Sequence, residues 1–345
     1  MMNSSGTKQA APQTLRLICC AINDEEYGVE MSAVLSLGRT HQLGFQTRLE
    51  GLEAPAGAIG WMAAQHHKYP VFDLAERLHL SSPHTPHNGH EGFVLLVNAT
   101  EPFGLRVDRI VGNLEVTPAQ VAALPHLIEP GLEKRFKGII KLADKWLLCV
   151  DALKLQRPHP GHFSLSHQAA FVATETTAPS QVQQNKAAQI MLFSSAQMFE
   201  ETDEKQPMVF GLSLTQVQEI SNLMPILPIP SAPNYVFGIT NWRDTPIPII
   251  DLQTRLGMSQ HPVSPQQIDP KSRLLIARAP AGFIGIPINP QVKAFPLPIP
   301  YQPNQQSLSM ERDLVLGVFD LEGSPLVIPD LEAMLTRNFV PQSRL

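Results

Sequence analysis

Residues 227–251 read Leu227-Pro-Ile-Pro-Ser-Ala-Pro-Asn-Tyr-Val-Phe-Gly-Ile-Thr-Asn-Trp-Arg-Asp-Thr-Pro-Ile-Pro-Ile-Ile-Asp251. Prolines pin the first residues as a loop that runs into a strand ending at Gly238-Ile239. A polar turn from Asn241 to Thr245 leads into a second apolar strand, closed by Asp251-Leu252. Two apolar runs about a short polar turn predict a hairpin, and the turn presents Arg243 at a fixed place.

A weaker copy of the same stretch lies upstream. Gly60-Trp-Met-Ala-Ala-Gln-His-His-Lys-Tyr-Pro-Val-Phe-Asp-Leu74 falls over Gly238 to Leu252, pairing Pro70 with Pro248, Asp73 with Asp251 and Arg77 with Arg255 at an offset of 178 residues. Phe136-Lys-Gly-Ile-Ile140 through Asp151 pairs with Val315-Leu-Gly-Val-Phe319 through Asp330 at an offset of 179, and Tyr27-Gly28-Val29 with Phe210-Gly211-Leu212 at 183. A nearly constant offset held over more than a hundred residues is the mark of a duplicated domain, and the period fits one globular unit. The expected division is a polar tail over 1–13, a first unit over 14–157, a linker over 158–187, a second unit over 188–337 and a tail over 338–345. The linker is rich in His, Pro, Ser, Thr, Gln and Ala and holds too few bulky apolar residues to offset the entropy of ordering it. Its short apolar islands, Phe163-Ser-Leu165 and Phe171-Val172, are candidates for docking on a neighbouring domain.

Apolar residues make up 43% of the chain, enough for two cores, and no apolar run approaches the ~18 residues of a membrane span. The tail over 1–13 lacks the charged start and apolar run of a signal peptide. A net charge of −5 gives no reason to expect nucleic acid or an anionic membrane surface as a partner. Cys19, Cys20 and Cys149 are too few and too scattered for a disulfide framework or a zinc site, and read as small apolar residues in a reducing cytoplasm.

Short runs of Val, Ile, Leu and Phe recur at Leu15–Ile22 and at 93–97, 146–150, 190–193, 274–277 and 326–328, with Gly, Pro, Asn or Asp between many of them. That rhythm predicts all-β barrels or sandwiches with short helices, and 32 prolines reinforce it. Short helices are expected over 32–36, 75–80, 151–155, 215–221 and 330–336. Asp73, Asp151, Asp251 and Asp330, each at a strand end, read as caps.

The hairpin resembles the central motif of the CheW family, adaptors that join chemoreceptors to the histidine kinase CheA. The family pattern is Pro-x-Ala-Pro-x-Tyr/Phe-x-x-Gly-x-Ile/Thr-Asn-Leu-Arg-Gly followed by Pro-x-x-Asp-Leu; here Trp242 takes the usual leucine place and Asp244 the usual glycine place. The resemblance implies two CheW-like domains, each a pair of five-stranded SH3-like barrels on a shared apolar core. It also implies a chemoreceptor signalling tip and a CheA-type kinase regulatory domain as partners, with no cofactor. Val217-Gln-Glu-Ile220 resembles the family's Val-x-Glu-Ile segment, and Asn241 and Arg243 occupy its Asn-x-Arg places. In that family the glutamate and arginine lie together beside the groove that accepts a receptor helix. Carried over, Glu219 and Arg243 form an ion pair, with Val217 and Ile220 as apolar wall and Asn241 completing the partner-binding set. The competing reading of the same two charges is a solvated surface pair worth about 0–1 kcal/mol.

The two units keep different parts of the pattern. By offset Glu219 falls over Ser36 and Arg243 over Gln65, so both charges are missing together in the first unit. The later segment survives there as Gly104-Leu-Arg-Val-Asp-Arg-Ile-Val111, whereas the second unit has Gly285-Ile-Pro-Ile-Asn-Pro-Gln-Val292 and then Phe295-Pro-Leu-Pro-Ile-Pro-Tyr301, which predicts a stiff edge or loop.

An enzyme reading rests on the 12 histidines, chiefly His66-His67 and the loop residues His84, His87 and His90. Loop histidines among Ser, Pro and Asn are ordinarily solvated, and no nucleophile elbow or phosphate-binding glycine loop is present. The expectation is a cytoplasmic, non-enzymatic adaptor. The alternatives are an array-organising or localisation protein that binds receptors without the kinase, and, more remotely, a metal-dependent β-rich hydrolase.

Overall fold

The computed structural model describes residues 14–41, 46, 55–64, 67–80, 92–125, 135–143, 145–156, 189–196, 208–259, 264–279, 282–296, 302–303, 310–321 and 323–336. The linker islands, His84, His87, His90 and residues 297–301 lie outside them. The chain divides into two compact units, Met1–Pro158 and His159–Leu345.

Unit 1 runs β1 (Leu15–Ile22), β2 (Glu25–Glu30), β3 (Val34–Arg39), β4 (Ala58–Ala64), β5 (His67–Asp73), α1 (Leu74–Leu78), β6 (Phe93–Val97), β7 (Phe103–Val107), β8 (Arg109–Val116), β9 (Val121–Ala122), β10 (Phe136–Lys141) and β11 (Trp146–Val150). Unit 2 runs β12 (Gln189–Ser194), β13 (Val209–Ser213), β14 (Val217–Asn222), β15 (Val236–Trp242), β16 (Thr245–Ile250), α2 (Leu252–Arg255), β17 (Arg273–Ala279), β18 (Gly282–Ile288), β19 (Lys293–Pro296), β20 (Gln302–Pro303), β21 (Val315–Leu321), β22 (Ser324–Pro329) and α3 (Leu331–Thr336).

The sheet orders show the duplication. Unit 1 has β8-β1-β2-β11-β10-β9 and β3-β6-β7-β5-β4; unit 2 has β19-β12-β13-β22-β21-β20 and β14-β17-β18-β16-β15. Adding eleven to every strand number of the first pair yields the second. In the larger sheet of each unit the outermost strands are consecutive in the chain. In unit 1 they are the two halves of one bent strand, which closes the larger sheet as a five-stranded barrel, and unit 2 repeats the strand order. In unit 1 the bend is the short 3₁₀ turn Pro118–Gln120, whose Thr117 backbone N–H donates to the Gln120 side chain. The smaller sheets close the same way. Leu227, downstream of β14, bridges Ile239 of β15, as Gln46, downstream of β3, bridges Trp61 of β4. The fold is thus all-β with short helices, a pair of SH3-like barrels in each unit.

Four hairpins, β4–β5, β10–β11, β15–β16 and β21–β22, carry a register shift just before a glycine, at Gly60, Gly138, Gly238 and Gly317. Such a bulge sharpens the twist that a small barrel needs. At Gly238 the requirement is strict. Its φ is +145°, and a Cβ there would run into the Leu227 carbonyl oxygen.

Three of the four aspartates cap as expected: Asp73 accepts from the Ala75 N–H at 2.8 Å, Asp251 from Thr254 at 2.8 Å and Asp330 from Ala333 at 3.0 Å. Asp151 does not cap; it precedes a 3₁₀ turn over Ala152–Leu155 and pairs with Lys154 at 3.3 Å. The segment expected to be helical over 32–36 divides into a 3₁₀ turn, Met31–Ala33, and the start of β3. The expected helix over 215–221 is a correction: after a turn the chain enters β14, paired antiparallel with β17. Val217 and Ile220, three apart, suggest one helical face. A bulge at Gln218 puts the same spacing into a strand, because the extra residue turns a period of two into three.

The prolines of the second unit have the effect expected of missing donors. β5 and β7 pair in parallel over Val71, Phe72 and Asp73, whereas β16 and β18, which carry Pro246, Pro248 and Pro287, keep the pair Ile249–Gly285. Unit 2 is tied instead by Arg255. This buried guanidinium donates through Nε and Nη2 to the Met334 carbonyl at 2.9 and 2.6 Å, and lies 4.9 Å over the Tyr235 ring. Met334 is in the last turn of α3, where carbonyls have no partner within the helix, so the arginine of one element caps the end of another.

Replacing Gly238 by Ala should destabilise the chain by at least ~2 kcal/mol, because the substitution forces a left-handed φ on Ala and displaces the closing bridge. Urea unfolding checks this, with Gly323→Ala as the control: that position also has positive φ, +84°, but open space around it.

Candidate partner-binding site

The residues singled out by sequence fall on two strands that the barrel closure brings together. Val217, Glu219 and Ile220 lie on β14, and Asn241 precedes the β15–β16 turn. In that turn Trp242 pairs with Thr245, and Arg243 and Asp244 have φ of 48° and 62°. Two consecutive residues in the left-handed region make a type I′ turn, whose twist matches the flanking strands. Such turns favour Asn and Gly, so an Arg-Asp pair holds its geometry at some conformational cost.

Arg243 Nη2 donates to Glu219 Oε2 at 2.7 Å, with the arginine side chain 67% and the glutamate 33% exposed. A pair this open contributes little stability by itself. Trp242 makes the arrangement more than a solvated pair. Its indole Nε1 donates to the same carboxylate oxygen at 3.3 Å, its ring is buried in the barrel core with Ile247, Ile249 and Ile276, and the Arg243 guanidinium carbon lies 5.1 Å from its centroid. Glu219 is therefore held from below by an immobile donor and from outside by an exposed one. Sequence reading noted Trp242 only as a replacement for leucine. The signal available was chemical: a buried indole N–H needs an acceptor, and Glu219 is the acidic residue on the strand that barrel closure brings to it.

Val217 and Ile220 are half-buried on β14, and Asn241 is exposed opposite Pro246. The direct contact the structure supplies is Glu219 with Arg243 and Trp242; the other three share strands with it. In unit 1 the residue following the β3 bulge is Ser36, paired with Leu96 as Glu219 is with Ile276, so the offset deduced from sequence matches the register. There Leu35 and Leu37 are 53% and 42% exposed on the equivalent strand.

Among the described residues no group of three or more His, Cys, Asp or Glu is placed to hold a metal ion, and no helix is long and apolar enough to cross a membrane. The three cysteines are free and buried, and burial pushes the Cys20 and Cys149 thiols up to about 12. All three should therefore resist a thiol reagent at pH 8 in the folded chain and react once it is unfolded in guanidinium, a difference a colorimetric thiol assay reads directly. Asp244→Gly should stabilise the chain by ~0.5–1 kcal/mol in urea unfolding by relieving the turn.

The CheW-like domain model matches this chain twice, over residues 16–158 and 198–339. The chemotaxis protein CheW of Rhizobium meliloti is 26% identical over 127 residues, which is 36% of this chain and 79% of that protein. A probable chemotaxis protein CheW of Rhizobium etli is 26% identical over 133 residues, 37% of this chain and 81% of that protein. The crystal structure of the scaffolding protein TtCheW from Thermoanaerobacter tengcongensis aligns with a TM-score of 0.36 at 22% identity, covering 47% of this chain and 96% of that one.

Proposed function

The chain belongs to the CheW-like domain family, which it represents twice, and on that premise we propose that it is a non-enzymatic adaptor of a chemotaxis or chemotaxis-like (pilus or surface motility) pathway. It works in the cytoplasm, coupling chemoreceptor signalling tips to the regulatory domain of a CheA-type histidine kinase. The observation that carries the reading is the Arg243 guanidinium, exposed yet anchored by Glu219 and Trp242 on a turn of fixed geometry. An exposed arginine ordinarily loses side-chain entropy when a partner grips it. Here part of that ordering is already present, so a carboxylate that meets the rest of the guanidinium beside the Nη2–Glu219 bond loses less entropy on binding. Val217, Glu219, Ile220, Asn241 and Arg243 form the contact set, with the two aliphatic residues as apolar wall and the charges setting register.

The same fold occurs twice with different surfaces, Glu219 and Arg243 in one unit, Ser36 with exposed Leu35 and Leu37 in the other. That asymmetry gives a second reading some weight: a receptor-array organiser whose first unit binds an apolar surface without coupling the kinase. Two linked units raise the effective concentration of whichever contact forms second.

Interferometry of the full chain against a CheA-type regulatory domain and a receptor signalling fragment tests the reading. Saturable binding to both, weakened about tenfold or more by Arg243→Ala, is expected. Binding to the receptor fragment alone selects the organiser, and binding to neither overturns both readings.

A further inference from the structure

The ion pair is one end of a longer arrangement. Trp242 stacks against Phe283 of β18, with ring centroids 4.7 Å apart and planes inclined by 55°. The guanidinium of Arg278, on β17, lies 5.6 Å over the opposite end of that pair, at Phe283. Arg243, Trp242, Phe283 and Arg278 therefore form a continuous row of cation, ring, ring and cation. Both arginine–ring contacts lie within the range where a guanidinium and an aromatic face attract. Glu219 balances Arg243, whereas Arg278 is exposed and in no ion pair among the described residues, so its fork is unmatched.

The first unit is an internal control. Strand register places Glu219 over Ser36, Trp242 over Ala64, Arg278 over Asn98 and Phe283 over Pro102, and the two residues between Ala64 and His67 place Arg243 over Gln65. All five members are present in unit 2 and all five are absent from unit 1, on matching registers. The strand topology does not require the set, since unit 1 has the same sheet order without any of them, although Trp242 and Phe283 also pack in the unit 2 core. Joint presence in one unit and joint absence from the other is the pattern that residues acting together leave, and double-mutant cycles measure that coupling.

We infer that Phe283 and Arg278 extend the recognition surface across β17 and β18, and that the row accepts a carboxylate-bearing segment of the protein partner, its acidic side chain gripped by Arg278. Trp242 is the positioning residue that couples the two arginines. Charge complementarity selects the occupant: an open guanidinium fork beside an aromatic face suits a carboxylate, and Arg with Trp is the composition of an energetic hot spot. The inference rests on the adaptor reading but fails separately from it.

The test has two arms, both on the full chain. In the first, Arg278→Ala, Arg278→Lys and Trp242→Leu are titrated beside Arg243→Ala against the kinase regulatory domain and the receptor fragment. The expectation is that Arg278→Ala weakens, by about tenfold, the same interaction that Arg243→Ala weakens, with partial rescue by Lys. The losses from the two arginine variants should be non-additive in the native background and additive in Trp242→Leu. Loss with Arg243→Ala but none with Arg278→Ala overturns the extension and leaves the adaptor reading standing. In the second arm an alternating Glu-Ala peptide is titrated while arginine Nε–H and the Trp242 indole N–H are followed by NMR. Selective shifts at Arg278 and Trp242 support the surface even if neither signalling protein binds, a result that overturns only the adaptor reading. Shifts no larger than those of the exposed Arg273 and Arg312 overturn the surface.

Discussion

Two backbone hydrogen bonds between Leu227 and Ile239, at 2.8 and 2.9 Å, hold the second barrel of unit 2 together. β14 and β15 are the outer strands of their sheet, and without this bridge the sheet would be open, with Glu219 at one edge and Arg243 at the other. The bridge forms because Gly238 leaves room for the Leu227 carbonyl, and the chain between them reverses through a turn at Pro230-Ser231, where Ser231 has a φ of 61°. Unit 1 closes through the same pair of bonds between Gln46 and Trp61, at 2.7 and 2.9 Å. Closure comes from the fold, and the charges placed on it come from one unit alone.

That separation explains how a duplicated domain diverges without losing its barrels. The strand order, the hairpin bulges and the Asp73/Asp251 cap recur in both units, since each meets a backbone requirement. Side chains facing outward meet no such requirement and differ freely, as at Leu35 and Gln218 in equivalent bulges. Even the buried ties differ. Arg255 grips the end of α3, while its counterpart Arg77 lies 3.9 Å over Phe72, and among the described residues the chain that follows β11 forms a 3₁₀ turn.

Much of this was legible in sequence, and for stated reasons. The duplication and the hairpin rest on backbone chemistry, glycine, proline and aspartate at fixed places, which sequence records directly. β14 was not legible, because a bulge imitates the spacing of a helix and only its pairing with β17 resolves the ambiguity. The two-residue strands β9 and β20, which complete the larger barrels, are too short to leave a pattern. The Glu219–Arg243 contact could be anticipated from the resemblance, but its third member could not. The link from Trp242 to Phe283 and on to Arg278 joins residues some forty positions apart, brought together by sheet order rather than by any local signal.

The turn at Arg243 and Asp244 also bears on how this surface can change over generations. With both residues in the left-handed region, β-branched and bulky side chains are excluded there on backbone grounds before any partner is consulted. Drift at these positions is confined to glycine, asparagine, aspartate and a few unbranched side chains. A lineage that loses the arginine therefore has few routes to an equally extended replacement. The site is easy to abolish and slow to remodel, and the first unit's hairpin, whose turn lacks an arginine, is the more accessible of the two evolutionary end points.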